Sequence, residues 1–306
     1  MRKTINYLKM SDGEEIYTVV YMPEEDIKGH VHILHGMAEH IGRYEEFATF
    51  LTDSGYMVSG HDHRGHGHTG QKQEQFGFFD EKDGFERVTE DVREILQAIR
   101  INLELPPPIL FTHSMGTFIG RRYIQKYGHS ISKIILSGTR GPLSPVDKAG
   151  KWIAKGFAAF QGKKTENNVL NKLSFEKFNS AVSHPDTKFD WLSTDSIQVK
   201  KYIDDPYCGF IASNQFFVDL IDGLTKINDM NEMKKIPKDL PVLLMSGALD
   251  PVGKMGKDLW PVAEQYKRLG LKDVTVVIKE GRRHELLNEV DYKETYNMVL
   301  TWMEKT

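Results

Sequence analysis

The sequence has one cysteine, Cys208, in 306 residues, so no disulfide can close within the chain. Long hydrophobic runs are also missing. No segment approaches the roughly 20 apolar residues of a membrane span. Met1 to Glu15 alternates polar and apolar residues, unlike a signal peptide. Neither sign of charge dominates. Lys and Arg number 40 against 43 Asp and Glu, a net charge of −3, which gives no footprint for nucleic acid. With 40 % hydrophobic and 27 % charged residues, the chain is neither disordered nor collagen-like. Internal repeats and low-complexity tracts are absent. These absences predict a soluble, cytoplasmic protein of about two domains, with a core that needs no disulfide or metal.

What is present is an alternation of strand and helix. Ile5–Lys9 and Glu15–Met22 flank the turn Ser11-Asp12-Gly13 and predict a hairpin. Short apolar runs follow at His30–Leu34, Tyr56–Ser59, Ile109–Phe111, Lys133–Leu136, Val242–Met245 and Val274–Ile278. Runs of this length suit strands buried on both faces of a parallel sheet. Helical periodicity separates them: Val88, Val92, Ile95 and Ile99 share a face after Asp83. Ile119, Tyr123 and Tyr127 share another, which Gly128 would stop, and Tyr292, Tyr296, Val299 and Met303 a third. This is α/β layering, and ligands of such sheets bind at the carboxyl ends of the strands. About 100 residues separate Ser137 from Pro241, too many for one crossover. This stretch reads as a helical cap inserted over that sheet edge.

Ile109-Leu110-Phe111-Thr112-His113-Ser114-Met115-Gly116 runs from an apolar strand through a serine into a helix. A serine on such a tight turn is a nucleophile elbow, which needs small neighbours. Gly116 fits. Thr112 stands where glycine is usual, and a serine that only caps the helix is the alternative. A nucleophilic serine needs a base, and the base an orienting acid, in the chain order Ser, Asp or Glu, His. Asp250 follows Val242–Met245, and His284 follows Val274–Ile278, each past a strand's carboxyl end. Alone, Asp250 could cap a helix and His284 could be a surface residue. An oxyanion needs backbone donors, one after the nucleophile and one after an early strand. Met115 and Met37 fit these positions.

His35-Gly36-Met37-Ala38-Glu39-His40, followed by Arg43-Tyr44, resembles the H-G-x-x-E-H-x-x-R-Y signature of the monoacylglycerol lipase and lysophospholipase branch of the α/β-hydrolases. Asp62-His63-Arg64-Gly65-His66-Gly67 resembles that branch's D-x-x-G-H-G loop, and His113-Ser114-Met115-Gly116 its H-S-M-G elbow. Ser246–Asp250 and Gly281–Glu285 resemble its acid and histidine loops. The resemblance covers 1–140 and 237–306 and is weaker through 141–236. It implies an α/β-hydrolase fold: a mostly parallel eight-stranded sheet with helices on both faces and a helical cap at 141–236. It implies a serine carboxylic-ester hydrolase of monoacylglycerol or lysophospholipid-type esters. Ser114 would be the nucleophile, Asp250 the acid and His284 the base, with oxyanion donors Met37 and Met115 and no cofactor or metal. The alternatives are a small-ester carboxylesterase, a proline-type aminopeptidase or a non-catalytic binder. A peptidase would need an anionic subsite, for which Asp195, Asp204, Asp205, Asp219 and Asp222 are candidates.

His61, His63, His66 and His68 invite a metal reading, but their spacing fits neither an HExxH site nor a finger. His113 reads as packing beside Ser114, and Cys208 as a small hydrophobe. Trp152, Ile153, Phe157 and Phe160, with Lys151, Lys155, Lys163 and Lys164, predict either a packed cap helix or a peripheral membrane contact.

Overall fold

The computed structural model describes residues 1–101 and 103–305. The apolar runs form one eight-stranded sheet: β1 (Arg2–Lys9), β2 (Glu15–Met22), β3 (Gly29–Leu34), β4 (Tyr56–His61), β5 (Ile109–His113), β6 (Lys133–Ser137), β7 (Val242–Gly247) and β8 (Val274–Lys279). Their order is β1-β2-β4-β3-β5-β6-β7-β8. The first two pairings, β1 with β2 and β2 with β4, are antiparallel and the rest parallel. Strands β4 to β8 run one to two residues past the apolar runs, because polar residues can still pair at the carboxyl edge. The pleat explains the unbroken hydrophobicity. Val242 and Leu244 enter the core on one face, Leu243 and Met245 that on the other. Each buried side chain contributes about 1.5–3 kcal/mol. Strand β8 departs from the expectation: at the sheet edge it is half-buried.

Helices cover both faces. One face carries α1 (Glu45–Asp53) and α12 (Tyr292–Glu304), and the other α3 (Gly84–Arg100), α4 (Met115–Tyr127) and α11 (Leu259–Arg268), while α2 (Gly67–Lys72) packs beside β2. Gly128 ends α4 in right-handed geometry and continues into a 3-10 turn rather than reversing the chain. Between β6 and β7 lie α5 (Pro145–Gln161), α6 (Asn168–Asn171), α7 (Lys177–Asn179), α8 (Ser196–Asp204), α9 (Asn214–Ile227) and α10 (Met230–Met233). Phe216, Phe217 and Leu224 of α9 join the core beneath α3 and α4.

The chain leaves β3 for β4 on one side and later returns to place β5 on the other. That reversal opens a crevice at the carboxyl ends of β3 and β5. Parallel register pairs Leu34 with Thr112, so the loops after both strands emerge side by side. Thr112 is fully buried. Its hydroxyl donates to Ile135 O at 2.6 Å, and its methyl faces Gly120, where a Cβ would come within 2.8 Å. The glycine of α4 thus makes room for the threonine in β5.

Beneath this crevice runs a buried file of imidazoles. His30 Nε2 and His32 Nδ1 each lie 2.6 Å from Ser59 Oγ, His32 Nε2 is 3.1 Å from His61 Nδ1, and His61 Nε2 is 3.0 Å from His63 Nδ1. A neutral imidazole carries one N–H, whereas the Ser59 hydroxyl donates once and accepts twice, so the file runs in one direction, in the other, or converges on Ser59 from both sides. The first two orderings leave an N–H on His63 Nε2 or His30 Nδ1 and the third leaves both nitrogens bare; both atoms lack a partner. Burial pushes His30 and His61 down to about 3 and His66 down to about 4. His32, His35, His63 and His113 are lowered too, by burial first and by neighbouring histidines second.

Two outcomes are expected. The unfolded chain regains histidines near 6.5, so it binds more protons than the folded one below that pH. The neutral histidines therefore stabilise the fold fully above about pH 6.5, and that stability is lost as pH falls. Each contributes a slope of about 1.4 kcal/mol per pH unit. Asp62, pushed up to about 6 by burial, Asp219, pushed up to about 7, and Asp91 and His284, which are raised, oppose them as four groups against seven. The urea midpoint should drop steeply between pH 7 and pH 5; a level or rising midpoint contradicts this. Thr112→Gly should lower stability by about 2 kcal/mol in urea unfolding, through a lost hydrogen bond and a small void; unchanged stability contradicts the packing account.

Candidate active site

Strand β5 turns into α4 through Ser114, whose φ of 50° and ψ of −118° lie outside the ordinary wells of a side-chain-bearing residue. Its amide donates to Ser137 O at 2.9 Å, pinning the turn to β6. The hydroxyl makes no capping bond, so the serine starts the helix without serving as its cap. At Gly116 a Cβ would lie 2.2 Å from Leu34 O, so only glycine lets α4 start this close to β3. Met115 is the first residue of α4, and its N–H has no acceptor within the helix. A Cβ on Gly36 would be 3.2 Å from Ser114 Cβ, which places the loop carrying Met37 beside the serine.

Strands β7 and β8 deliver the other two residues. Asp250 is fully buried. Its Oδ1 accepts from His284 Nδ1 at 3.0 Å and from the Val252 amide at 2.9 Å, and its Oδ2 accepts from Ser246 Oγ at 2.9 Å. Burial pushes this carboxyl up, but His284 and the three donors outweigh it and hold it below the usual carboxylate range. Burial pushes His284 down, and Asp250 with Glu285 and Glu39 overcomes that, leaving the imidazole above its ordinary value. The pair is built to hold a proton on His284 while Asp250 stays ionised. Bonding Nδ1 to the carboxylate fixes the tautomer and leaves Nε2 as the free nitrogen, which has no partner. Trp191 lies against the imidazole with ring centres 5.1 Å apart, and His113 lies 4.7 Å away on another side. Burial and the nearby His284 push His113 down to about 4, so it stays neutral and is a weaker base than His284.

Met37, Ser114 and His284 line one cavity of about 80 Å³ together with Phe189, Trp191 and Phe210 from the insertion. All five residues singled out from the sequence thus meet at one place, with Met115 under Ser114 and Asp250 behind His284. The sequence places Ser246 in the stretch that resembles the acid loop but gives neither Ser246 nor Trp191 a role at the site. His61 and His63 belong to the buried file, and His66 Nδ1 donates to Arg64 O at 2.9 Å. Among the described residues the one group with metal-ligating spacing is His40, Asp205 and Cys208. There His40 Nε2 donates to Asp205 Oδ2 at 2.9 Å, while its Nδ1 accepts from the Gly42 amide, so both ring nitrogens are engaged. Burial raises the Cys208 thiol, which keeps it protonated.

Of the large apolar residues on α5, Phe157 packs against the core, whereas Trp152, Ile153 and Phe160 are exposed, Phe160 by 93 %. No helix among the described residues is long and apolar enough to cross a membrane.

Comparison with known proteins agrees with this fold. A family model described as serine aminopeptidase, S33 (Hydrolase_4), matches residues 25–291. The chain is 26 % identical to a monoacylglycerol lipase of Mycolicibacterium smegmatis over 95 % of its length and 93 % of the relative's. It is 28 % identical to human monoglyceride lipase, covering 93 % of this chain and 84 % of that one. A thermostable carboxyl esterase from Bacillus coagulans superposes with a TM-score of 0.90 at 24 % identity, over 99 % of this chain and 98 % of the other. The elbow serine, the Asp–His pair and the family match converge: the chain belongs to the S33 serine aminopeptidase (Hydrolase_4) family of α/β-hydrolases, in its monoglyceride lipase-like branch, and is a serine hydrolase.

Proposed function

We propose that the protein cleaves carboxylic esters of the monoacylglycerol or lysophospholipid type, with residues 1–140 and 237–306 as catalytic core and 141–236 as cap. The observation that carries this reading is a serine in strained elbow geometry sharing a cavity with an imidazole whose tautomer a buried carboxylate fixes. His284 Nε2 takes the Ser114 proton as Oγ attacks the ester carbonyl. The imidazolium is stabilised by Asp250, and the amides of Met37 and Met115 hold the oxyanion. His284 then gives its proton to the departing alcohol. Water enters and attacks the acyl carbon as it loses a proton to the same nitrogen, and the acid departs as His284 returns that proton to Ser114 Oγ.

An ester suits this cavity better than a peptide amine. Its two acids, Glu39 and Glu285, are both bound to Arg43. Asp195 caps α8, while Asp204, Asp205, Asp219 and Asp222 are engaged with Lys200, His40, Gln215 and Lys151, and none of the five lines the cavity. About 80 Å³ is small beside the roughly 300–1,000 Å³ of a drug-sized ligand site. A long acyl chain therefore enters only when Phe189, Trp191 or Phe210 moves aside, whereas an acetyl group needs less. The exposed Trp152, Ile153 and Phe160 on α5, with Lys155 beside them, form the surface through which the cap would meet a lipid interface.

A panel of esters from acetyl p-nitrophenyl to long-chain monoacylglycerol tests this reading. Ser114→Ala should abolish turnover, and Asp250→Asn should lower kcat by about 10⁴ with the fold intact; full turnover by Ser114→Ala refutes the assignment. A higher kcat/KM for long-chain glycerol esters would favour the lipase reading, and a short-acyl preference a carboxylesterase. Trp152→Ala with Phe160→Ala should weaken sedimentation with phosphatidylglycerol vesicles; unchanged binding discards the membrane contact.

A further inference from the structure

Three charged side chains join the loop of the oxyanion donor to the loop of the base. Glu39, 3 % exposed, accepts from the Gly36 amide at 2.5 Å and from Tyr44 Oη at 2.8 Å through Oε1. Its Oε2 accepts from Arg43 at 2.6 Å. The same guanidinium forks onto Glu285, the residue after His284, with two bonds of 2.7 Å. Glu285 is held in turn by Asn288 Nδ2 at 2.9 Å, and its own amide donates to Leu192 O at 2.7 Å. Arg43 also lies 4.9 Å from the Tyr202 ring centre, and Tyr202 Oη donates to Ala38 O at 2.9 Å. One arginine therefore touches the supports of Met37, the residue beside His284, and a ring from the cap segment.

A planar fork that satisfies two carboxylates on separate loops fixes their distance, which a single ammonium cannot do. The charges do not cancel. Two carboxylates and one guanidinium leave one net negative charge near the base. The groups facing His284 are Asp250 behind it, neutral His113 beside it, and Glu285, Glu39 and Arg43 beyond; among the described residues the insertion sets the uncharged Trp191 against the ring and brings no charged side chain to the cavity.

We infer that Glu39, Arg43 and Glu285 act as positioning residues of the hydrolytic reaction, locking the oxyanion loop to the histidine loop and adding a second negative field behind the imidazolium. The inference rests on the ester-hydrolase reading above. Geometry and field make separable contributions. Glu285→Gln keeps an oxygen for Arg43 and removes one negative charge. Arg43→Lys keeps the positive charge and removes the fork. Arg43→Gln removes the charge and leaves two acids facing the base.

The test is the pH dependence of kcat/KM for a p-nitrophenyl ester, with the p-nitrophenol burst counting competent sites. Glu285→Gln should move the acidic limb down by about half a unit to one unit, and Arg43→Gln should move it up. Arg43→Lys should leave the limb in place and lower kcat per competent site about tenfold. Opposite displacements cannot come from structural damage, which lowers the burst and leaves the limb unmoved. Limbs that stay put in both Gln variants overturn the field, and Arg43→Lys at parental kcat overturns the fork. If Arg43→Gln does not fold, Glu285→Gln and Arg43→Lys still decide both points. A parent chain with no burst and no turnover refutes the hydrolase reading and takes this inference with it.

Discussion

The site depends on one backbone conformation, the φ of 50° and ψ of −118° at Ser114. Such a residue costs about 1–3 kcal/mol and persists only where its surroundings over-determine it. They do so here from three directions. Leu34 pairs with Thr112 in register, the Ser114 amide is bound to Ser137 O, and Gly116 lets α4 press against the end of β3. Relaxing the turn would break the bond to β6 or separate the helix from the strand. The strained turn lifts the serine out of the sheet beside the first amide of α4. The proposed nucleophile and the proposed oxyanion donor are therefore products of a single constraint.

The proposed base and acid follow from the same sheet. Parallel pairing of β7 with β8 ends at Gly247 and Lys279, so Asp250 and His284 leave from adjacent strand ends. Their electrostatics are a contest that burial loses. Desolvation alone would neutralise both groups, but the pair, with Ser246 and the Val252 amide, keeps Asp250 ionised and His284 basic. Elsewhere burial wins, and the histidines of β3 and β4 stay neutral. The chain thus uses one residue type in two opposed ways, set by whether a carboxylate stands behind the ring.

Much of this was legible in the sequence because it is local. Strands buried on both faces show as apolar runs, and the elbow, acid and base show as residue types in a fixed order past strand ends. Thr112 was the one departure, and its partner, Gly120, lies eight residues on, one helix turn beyond the motif. What could not be read is what joins distant segments. Arg43 meets Glu285 across 242 positions, and Trp191 reaches His284 from an insertion without strand periodicity. The imidazole file needed the register of β3 against β4 before spacing acquired meaning. Half-burial of β8 is a property of its place at the edge, which hydropathy does not record.

The central claim is that Ser114 is the nucleophile and that its neighbours make it one. Treating the folded protein with a fluorophosphonate and mapping the adduct by peptide mass spectrometry tests this most directly. The account predicts one adduct, on Ser114, formed rapidly in the parent chain, absent from Ser114→Ala and greatly slowed in His284→Ala. A label on another residue, or on Ser114 at a rate indifferent to His284, would contradict it.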